Sequence, residues 1–359
     1  MAKPIIGGQA VIEGVMMRSP KSFAVAVRRP DGSIVVREAG WLSFAERFPF
    51  LRWPLLRGAN MLIESMANGI SALNFSASQA MPDEADVAGS AEPEAPGGSS
   101  SSNPALFVTL AISLASAVLL FKGIPHLATW GLGALLGSGG ESALPMDGPG
   151  FHLVDGLLRL GIFVVYILLI SRLDDVRRLF MYHGAEHKSV HSWENDAPLD
   201  VEHTRPQSTA HPRCGTSLIL LVIAVSVFVF AATLPFLPKV SEHTLVQTLF
   251  AFAVKVPLLL PIAGLAYEAQ RLAAKHPGNP LVRALIAPGM LMQRLTTREP
   301  GDRELEVALT ALRKTVWRER LAQGVAAGTV PGPATEAVGD TANIEIYETF
   351  DEVERRVAA

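Results

Sequence analysis

The stretch Tyr182-His183-Gly184-Ala185-Glu186-His187-Lys188 carries the residue types and spacing that metal or acid–base chemistry requires. On a helix, His183, Glu186 and His187 fall at i, i+3 and i+4 and share one face. His191 continues that stripe one turn on. Two imidazoles one turn apart can grip a single divalent ion, and a carboxylate beside them can take a proton from its water. The order His-x-x-Glu-His is that of inverted-zincin peptidases. It points to His183 and His187 as metal ligands and to Glu186 as the catalytic base. Downstream, the spacing His211-x-x-Cys214 is itself suited to one ion, so His211 and Cys214 are expected to complete the site. His191, Glu194 and Glu268 are the remaining candidates for a further ligand. A divalent metal, zinc by the character of these donors, is the expected cofactor. The competing reading is a histidine cluster on a solvated helix face. His203, His243 and His276, taken singly, are read that way.

The elements that must position these groups follow from composition. The chain has 359 residues, of which 49% are hydrophobic and only 18% charged. That is too apolar for an ordinary soluble domain and points to an integral membrane protein with soluble parts. No long basic tract is present, so nucleic acid is not an expected partner. One cysteine excludes an intramolecular disulfide, and a lone thiol beside a histidine suits a reducing, cytoplasmic face.

Four apolar runs, 104–121, 151–170, 217–237 and 244–267, are each long enough to cross a bilayer. A short partial helix is expected around Leu127–Leu136. The fold class is therefore an α-helical integral membrane protein with about four spans, arranged as a membrane domain over 104–267. The histidine-rich segment 171–214 lies between the second and third spans. Before it, residues 1–50 are read as a small β element: Phe23–Arg29 and Ile34–Arg37 are strands around Pro30-Asp31-Gly32-Ser33. Gly7-Gly8-Gln9 is read as a flexible glycine turn, from which Glu13 and Arg18 could reach the histidines. Residues 53–77 form an amphipathic helix, suited equally to the membrane surface and to a protein core. Residues 79–103 are low-complexity and read as a disordered linker. Residues 268–320 read as a helical region, ending in a helix with Leu305, Ala308, Leu309, Leu312 and Val316 on one face. Residues 321–359 read as a mostly flexible tail with one acidic helix.

Arginine and lysine set the orientation. They concentrate between the second and third spans (Arg172, Arg177, Arg178, Lys188, Arg205, Arg213) and after the fourth (Arg271, Lys275, Arg283, Arg294, Arg298). The histidine segment, the helical C-terminal part and both termini are thus expected in the cytoplasm. The N-terminus shows no apolar signal segment, which agrees. Inside the spans, Asp155 and Arg159 can pair at i, i+4, and Lys255 lies beside Pro257 and Pro261. One geometric condition also follows. If the second span ran straight on, His183 would lie ~20 Å beyond the membrane edge. The chain must bend near Leu173 for it to meet His211, and Gly184 could relax the helix.

Four motifs together resemble a known family: Gly7-Gly8-Gln9-Ala10-Val11-Ile12-Glu13-Gly14-Val15-Met16-Met17-Arg18, the histidine motif, His211-Pro212-Arg213-Cys214-Gly215-Thr216-Ser217, and Thr296-Thr297-Arg298-Glu299-Pro300. The chain resembles the domain-of-unknown-function family DUF1385 (YqhQ-like) over nearly its whole length. The resemblance implies a polytopic protein of the bacterial inner membrane, described in general terms as a predicted metal-dependent enzyme. Relatives can carry Asn where this chain has His191, which ranks His191 below the other histidines as a ligand. Three functions are open: a cytoplasm-facing metal-dependent hydrolase, a non-catalytic membrane scaffold or assembly factor, and a transporter or channel with a histidine-lined gate. The last would require a homo-oligomer. Membrane lipid is the expected partner throughout.

Overall fold

A computed structural model describes residues 3–40, 43–80, 115–137, 142–146, 148–238, 240–241, 244–276, 278–326 and 343–357, with isolated positions between 108 and 113. The chain is mostly helical around one antiparallel sheet, in strand order β1-β2-β3-β4-β5. The strands are β1 Gly7–Val11, β2 Gly14–Arg18, β3 Ser22–Arg28, β4 Ile34–Gly40 and β5 Asn343–Tyr347.

The glycine-rich N-terminal motif is therefore a hairpin and not a flexible turn. Gly7 pairs with Arg18 and Val11 with Gly14, and Glu13 makes the tight reversal with a positive φ of 49°. The expected β3–β4 hairpin is present. Its turn uses Gly32 at φ 93°, a conformation that favours glycine, and the Asp31 side chain accepts from the Ser33 N–H.

The helices are α1 Leu56–Ala80, α2 Ile124–Leu136, α3 Pro149–Ile170, α4 Asp174–Glu194, α5 Gly215–Thr233, α6 Thr244–Lys275, α7 Pro280–Thr296, α8 Asp302–Ala326 and α9 Phe350–Arg356. Strand alternation gives the sheet two apolar faces. Val15, Met17, Ala26, Ile34 and Val36 pack against α4 and α8, while Met16, Val25, Val27 and Val35 pack against Ala72 and Phe75 of α1. In α8 the expected stripe of Leu305, Ala308, Leu309, Leu312 and Val316 is buried almost completely. Each such leucine contributes about 1.5–3 kcal/mol of transfer free energy.

In the segment read as a mostly flexible tail with one acidic helix, that helix is present as α9, and residues 343–357 close this domain. β5 pairs with the outer edge of β4, Tyr347 opposite Ile34, and Tyr347, Phe350, Val353 and Val357 enter the same core as α8. Residues 327–342 lie outside the described residues, as does the expected linker from 81 onward.

Among the described residues four helices are long and apolar enough to cross a membrane: Ala115–Leu136, Pro149–Ile170, Gly215–Thr233 and Leu249–Ala273. The first differs from expectation. It absorbs the short helix expected at 127–136, because the chain passes Gly123 and Pro125 through a π-helical turn at Leu119–Gly123 without stopping. Pro125 has no N–H to give the carbonyl four residues back. That carbonyl, Phe121 O, accepts from Arg159 Nε of α3 at 3.1 Å. In α6, Pro257 and Pro261 sit inside a helix that runs on to Lys275.

Candidate metal centre

The bend required by the sequence lies between α3 and α4. Ser171 ends α3 and Leu173 takes an extended conformation (φ −74°, ψ 135°). α4 then restarts with Asp174 and Asp175 in its first turn, where the helix dipole favours carboxylates. Gly184 does not relax this helix. It is where the 297–300 segment crosses: a Cβ there would lie 2.1 Å from the Arg298 carbonyl oxygen. Arg298 N–H in turn donates to Phe180 O, and Lys188 pairs with Glu299. The histidine motif and the Thr-Thr-Arg-Glu-Pro motif are thus two sides of one packed contact.

His183, His187 and Cys214 come together, with their nearest donor atoms all within 4.8 Å of one another. Both rings are fixed from behind. His183 Nδ1 faces the Thr296 carbonyl at 2.8 Å, and His187 Nδ1 faces the Thr209 carbonyl. A carbonyl only accepts, so each Nδ1 carries the proton and each Nε2 presents a bare lone pair. That is the tautomer in which imidazole binds a metal, oriented by a backbone partner. His183 Nε2 lies 3.1 Å from Cys214 Sγ, which Thr216 Oγ1 also approaches at 3.1 Å. His187 Nε2 is buried with no hydrogen-bond partner, on a side chain only 1% exposed. Such an orphaned nitrogen costs about 1–3 kcal/mol unless something occupies its lone pair. Two imidazole nitrogens and one sulfur suit a borderline ion such as zinc.

His211 is placed beside this group and not in it. Its ring centroid is 5.7 Å from that of His187 and 4.8 Å from that of His191, and its Nε2 faces Glu194 at 3.3 Å. His191, Glu194 and His211 make a second set of potential donors, with Glu194 also paired to Arg213. His191 Nε2 donates to the Ala210 carbonyl at 2.9 Å. Glu268 is elsewhere, paired with Arg57. Among the surface histidines, His203 caps its own turn against Asp200, His276 is exposed, and His243 lies outside the described residues.

Glu186 is buried against β1, with one carboxylate oxygen 3.5 Å from His187 Nε2. The glycine motif explains how. A Cβ on Gly8 would lie 2.7 Å from Glu186 Cγ, so only glycine lets the strand pass so close. Burial raises the Glu186 carboxyl above the usual range, while nearby His183 and His211 and a backbone hydrogen bond from Gly8 oppose the rise. Burial lowers His187, His191 and His211 from the ordinary imidazole value, keeping them neutral and ready to ligate. Glu13 and Arg18 do not reach the histidines: Glu13 meets Arg178 and Tyr182, and Arg18 meets Glu64.

One important residue escaped the sequence reading. Gln293 is fully buried in α7, accepting from His211 N–H while donating to His211 O and to Ser217 Oγ. Its signal is a lone amide directly after the apolar run Met290-Leu291-Met292.

Within the apolar helices, Asp155 and Arg159 pair at 2.6 Å as expected. Lys255 and His152 line the same small cavity, and Lys255 Nζ lies 5.5 Å from the Phe230 ring.

The chain is 31% identical to the protein titled "Uncharacterized protein YqhQ" of Bacillus subtilis (strain 168) over 333 residues, covering 89% of this chain and 95% of that one. No solved structure matches it. The model of the family described as "Protein of unknown function (DUF1385)" matches residues 53–318, and with the YqhQ likeness over most of the chain this makes the protein a member of the YqhQ-like DUF1385 family.

Proposed function

We propose that this protein is a multi-pass inner-membrane hydrolase whose histidine centre holds one divalent metal, zinc by its donors, on the cytoplasmic side. The observation that carries the metal reading is the convergence of the buried His187 Nε2, which makes no well-formed hydrogen bond, with His183 Nε2 and Cys214 Sγ, a Glu186 carboxylate oxygen lying 3.5 Å away. His183, His187 and Cys214 would hold the ion, which would supply Lewis acidity and a water activated near neutral pH. Glu186 is the general base. Burial makes its carboxyl hold a proton more readily than usual, which suits a group that must take and return one. Thr296 and Thr209 hold the rings, and Gln293 holds the backbone of His211.

The membrane reading rests on the four apolar helices and on α1. In α1 the polar residues Asn60, Glu64 and Asn68 face inward, while Ile63, Met66 and Ile70 are each more than half exposed. With Trp53 and Phe50 also exposed, this face suits the membrane–water boundary. The sheet supplies an argument for the topology. β4 and β5 are hydrogen-bonded neighbours with four candidate spans between them among the described residues, and an even number of crossings returns the chain to the same side. The basic loops mark that side as cytoplasmic.

The test is the metal content of purified protein. Wild type is expected to hold about one zinc per chain, the His183→Ala/His187→Ala variant none, and Glu186→Gln the full complement. Folded wild-type protein, purified without chelator and free of metal, would sink the reading.

A further inference from the structure

An apolar groove leads away from the histidine centre. Ser217, Leu220, Leu221, Ala224, Val225 and Phe228 line one side of it and recur at helical spacing along a single face of α5. That face runs ~16 Å from the end of the helix nearest Cys214. Ile286, Pro288 and Met290 of α7 form the opposite wall. The shape follows from the sequence. At Gly289 the two helices touch, since a Cβ there would lie 2.9 Å from Ser217 Cβ. Pro288, inside α7, interrupts the helix ladder next to that contact, and a proline there bends a helix. Beyond the contact the helices enclose a cavity of about 320 Å³ with an almost wholly apolar lining. That is the size of a ligand site.

The head of the groove differs from its length. Pro212, Ser217 and Gln270 line it there. Gln270 donates to the carbonyls of Pro212 and Cys214, and Ser217 accepts from Gln293, which grips His211. The polar end of the groove is thus made from the backbone that carries His211 and Cys214. A polar end at Pro212, Ser217 and Gln270, next in the chain to Cys214 although no side chain of the centre lines the groove, and an apolar channel along a membrane-length helix fit an amphiphile with a single acyl chain. We infer that the groove between α5 and α7 holds the acyl chain of a membrane amphiphile and presents its polar head to the histidine centre. This rests on the metal-hydrolase reading and gives it a substrate class: acyl-bearing lipids, not soluble peptides.

The test uses the full-length protein in phospholipid nanodiscs. The probe is a lysophosphatidylcholine with a dodecanoyl chain ending in a photoactivatable diazirine. Cross-links are mapped by peptide mass spectrometry, and zinc is measured on the same samples. Wild type is expected to be labelled mainly around Ala224–Phe228 and on the facing part of α7. Ala224→Trp, which fills the groove, should lower that labelling about tenfold while leaving zinc in place. Ala284→Trp, from the opposite wall, should do the same and serves if the first variant folds poorly. Labelling spread evenly over the lipid-facing sides of all the apolar helices, unchanged by either tryptophan, overturns the inference and leaves the metal reading standing. Selective labelling in protein that holds no zinc overturns the metal reading and with it the substrate assignment.

Discussion

The histidine centre and the Asp155–Arg159 cluster are both polar groups buried beside apolar helices, yet their partners are arranged in opposite ways. In the membrane-length helices Asp155 and Arg159 answer one another, while Lys255 lies beside a like charge, Lys122. Arg159 joins Asp155 to the Phe121 carbonyl that Pro125 leaves open, and Lys255 rests over the Phe230 ring. In the centre every outward-facing atom is tied to backbone, while the inward-facing ones converge on a common point. His183 and His187 spend their Nδ1 protons on carbonyls and aim their Nε2 atoms at Cys214 and at each other. The difference teaches how to tell a structural cluster from a binding site: ask which atoms are left over once the protein's own bonds are counted. The first cluster leaves one such atom, Asp155 Oδ1, with His126 Nδ1 3.9 Å away. The second leaves His187 Nε2 facing the same point as His183 Nε2 and Cys214 Sγ, and that convergence, more than the single orphan, favours a ligand at His187.

The largest expected effect separates the two directly. His187→Ala should abolish metal binding, read by elemental analysis, with circular dichroism still helical. Retained metal would break the contrast. Next, Asp155→Asn should cost about 3 kcal/mol, because it leaves a buried guanidinium without its anion. Chemical denaturation in detergent should show this with metal content unchanged. Gln293→Leu should weaken zinc affinity about 10- to 100-fold by loosening the 211–217 turn that carries Cys214, measured by competition with a chromogenic chelator. The smallest effect belongs to Lys255→Met, expected within about 1 kcal/mol of wild type in the same denaturation assay. A loss of cellular function from Lys255→Met alone, with stability and metal intact, would revive the transport reading.

Much of this was legible in the sequence, for physical reasons that differ by region. The stripe of α8 was readable because a 3.6-residue period over many residues has no rival explanation, and the sheet covers it. The stripe of α1 was equally readable, but its outcome was not. Periodicity shows that two faces differ and not which one meets protein. Here Glu64 turns inward to Ser43, Asn60 and Arg18, and Ile63 turns outward. His183, Glu186 and His187 were legible from helical spacing, and their joining to Cys214 required only the bend at Leu173. The exclusion of His211 from the three-donor group was not legible, because it depends on which carbonyls each ring finds. β5 was hidden for another reason: its five residues become a strand by meeting the edge of β4, about three hundred positions away.

That last pairing has a consequence in time. The sheet's outer edge is made when β4 leaves the ribosome, but its partner β5 is translated about three hundred residues later. At ~5–20 residues per second, roughly 15–60 s separate the two events. Throughout that interval the nascent chain carries an open strand edge, a template for wrong pairings. Meanwhile the translation machinery must deliver every apolar helix in between. The domain that buries Glu186 thus cannot close until the apolar helices have been made, and a protein interrupted during their synthesis is left without β5.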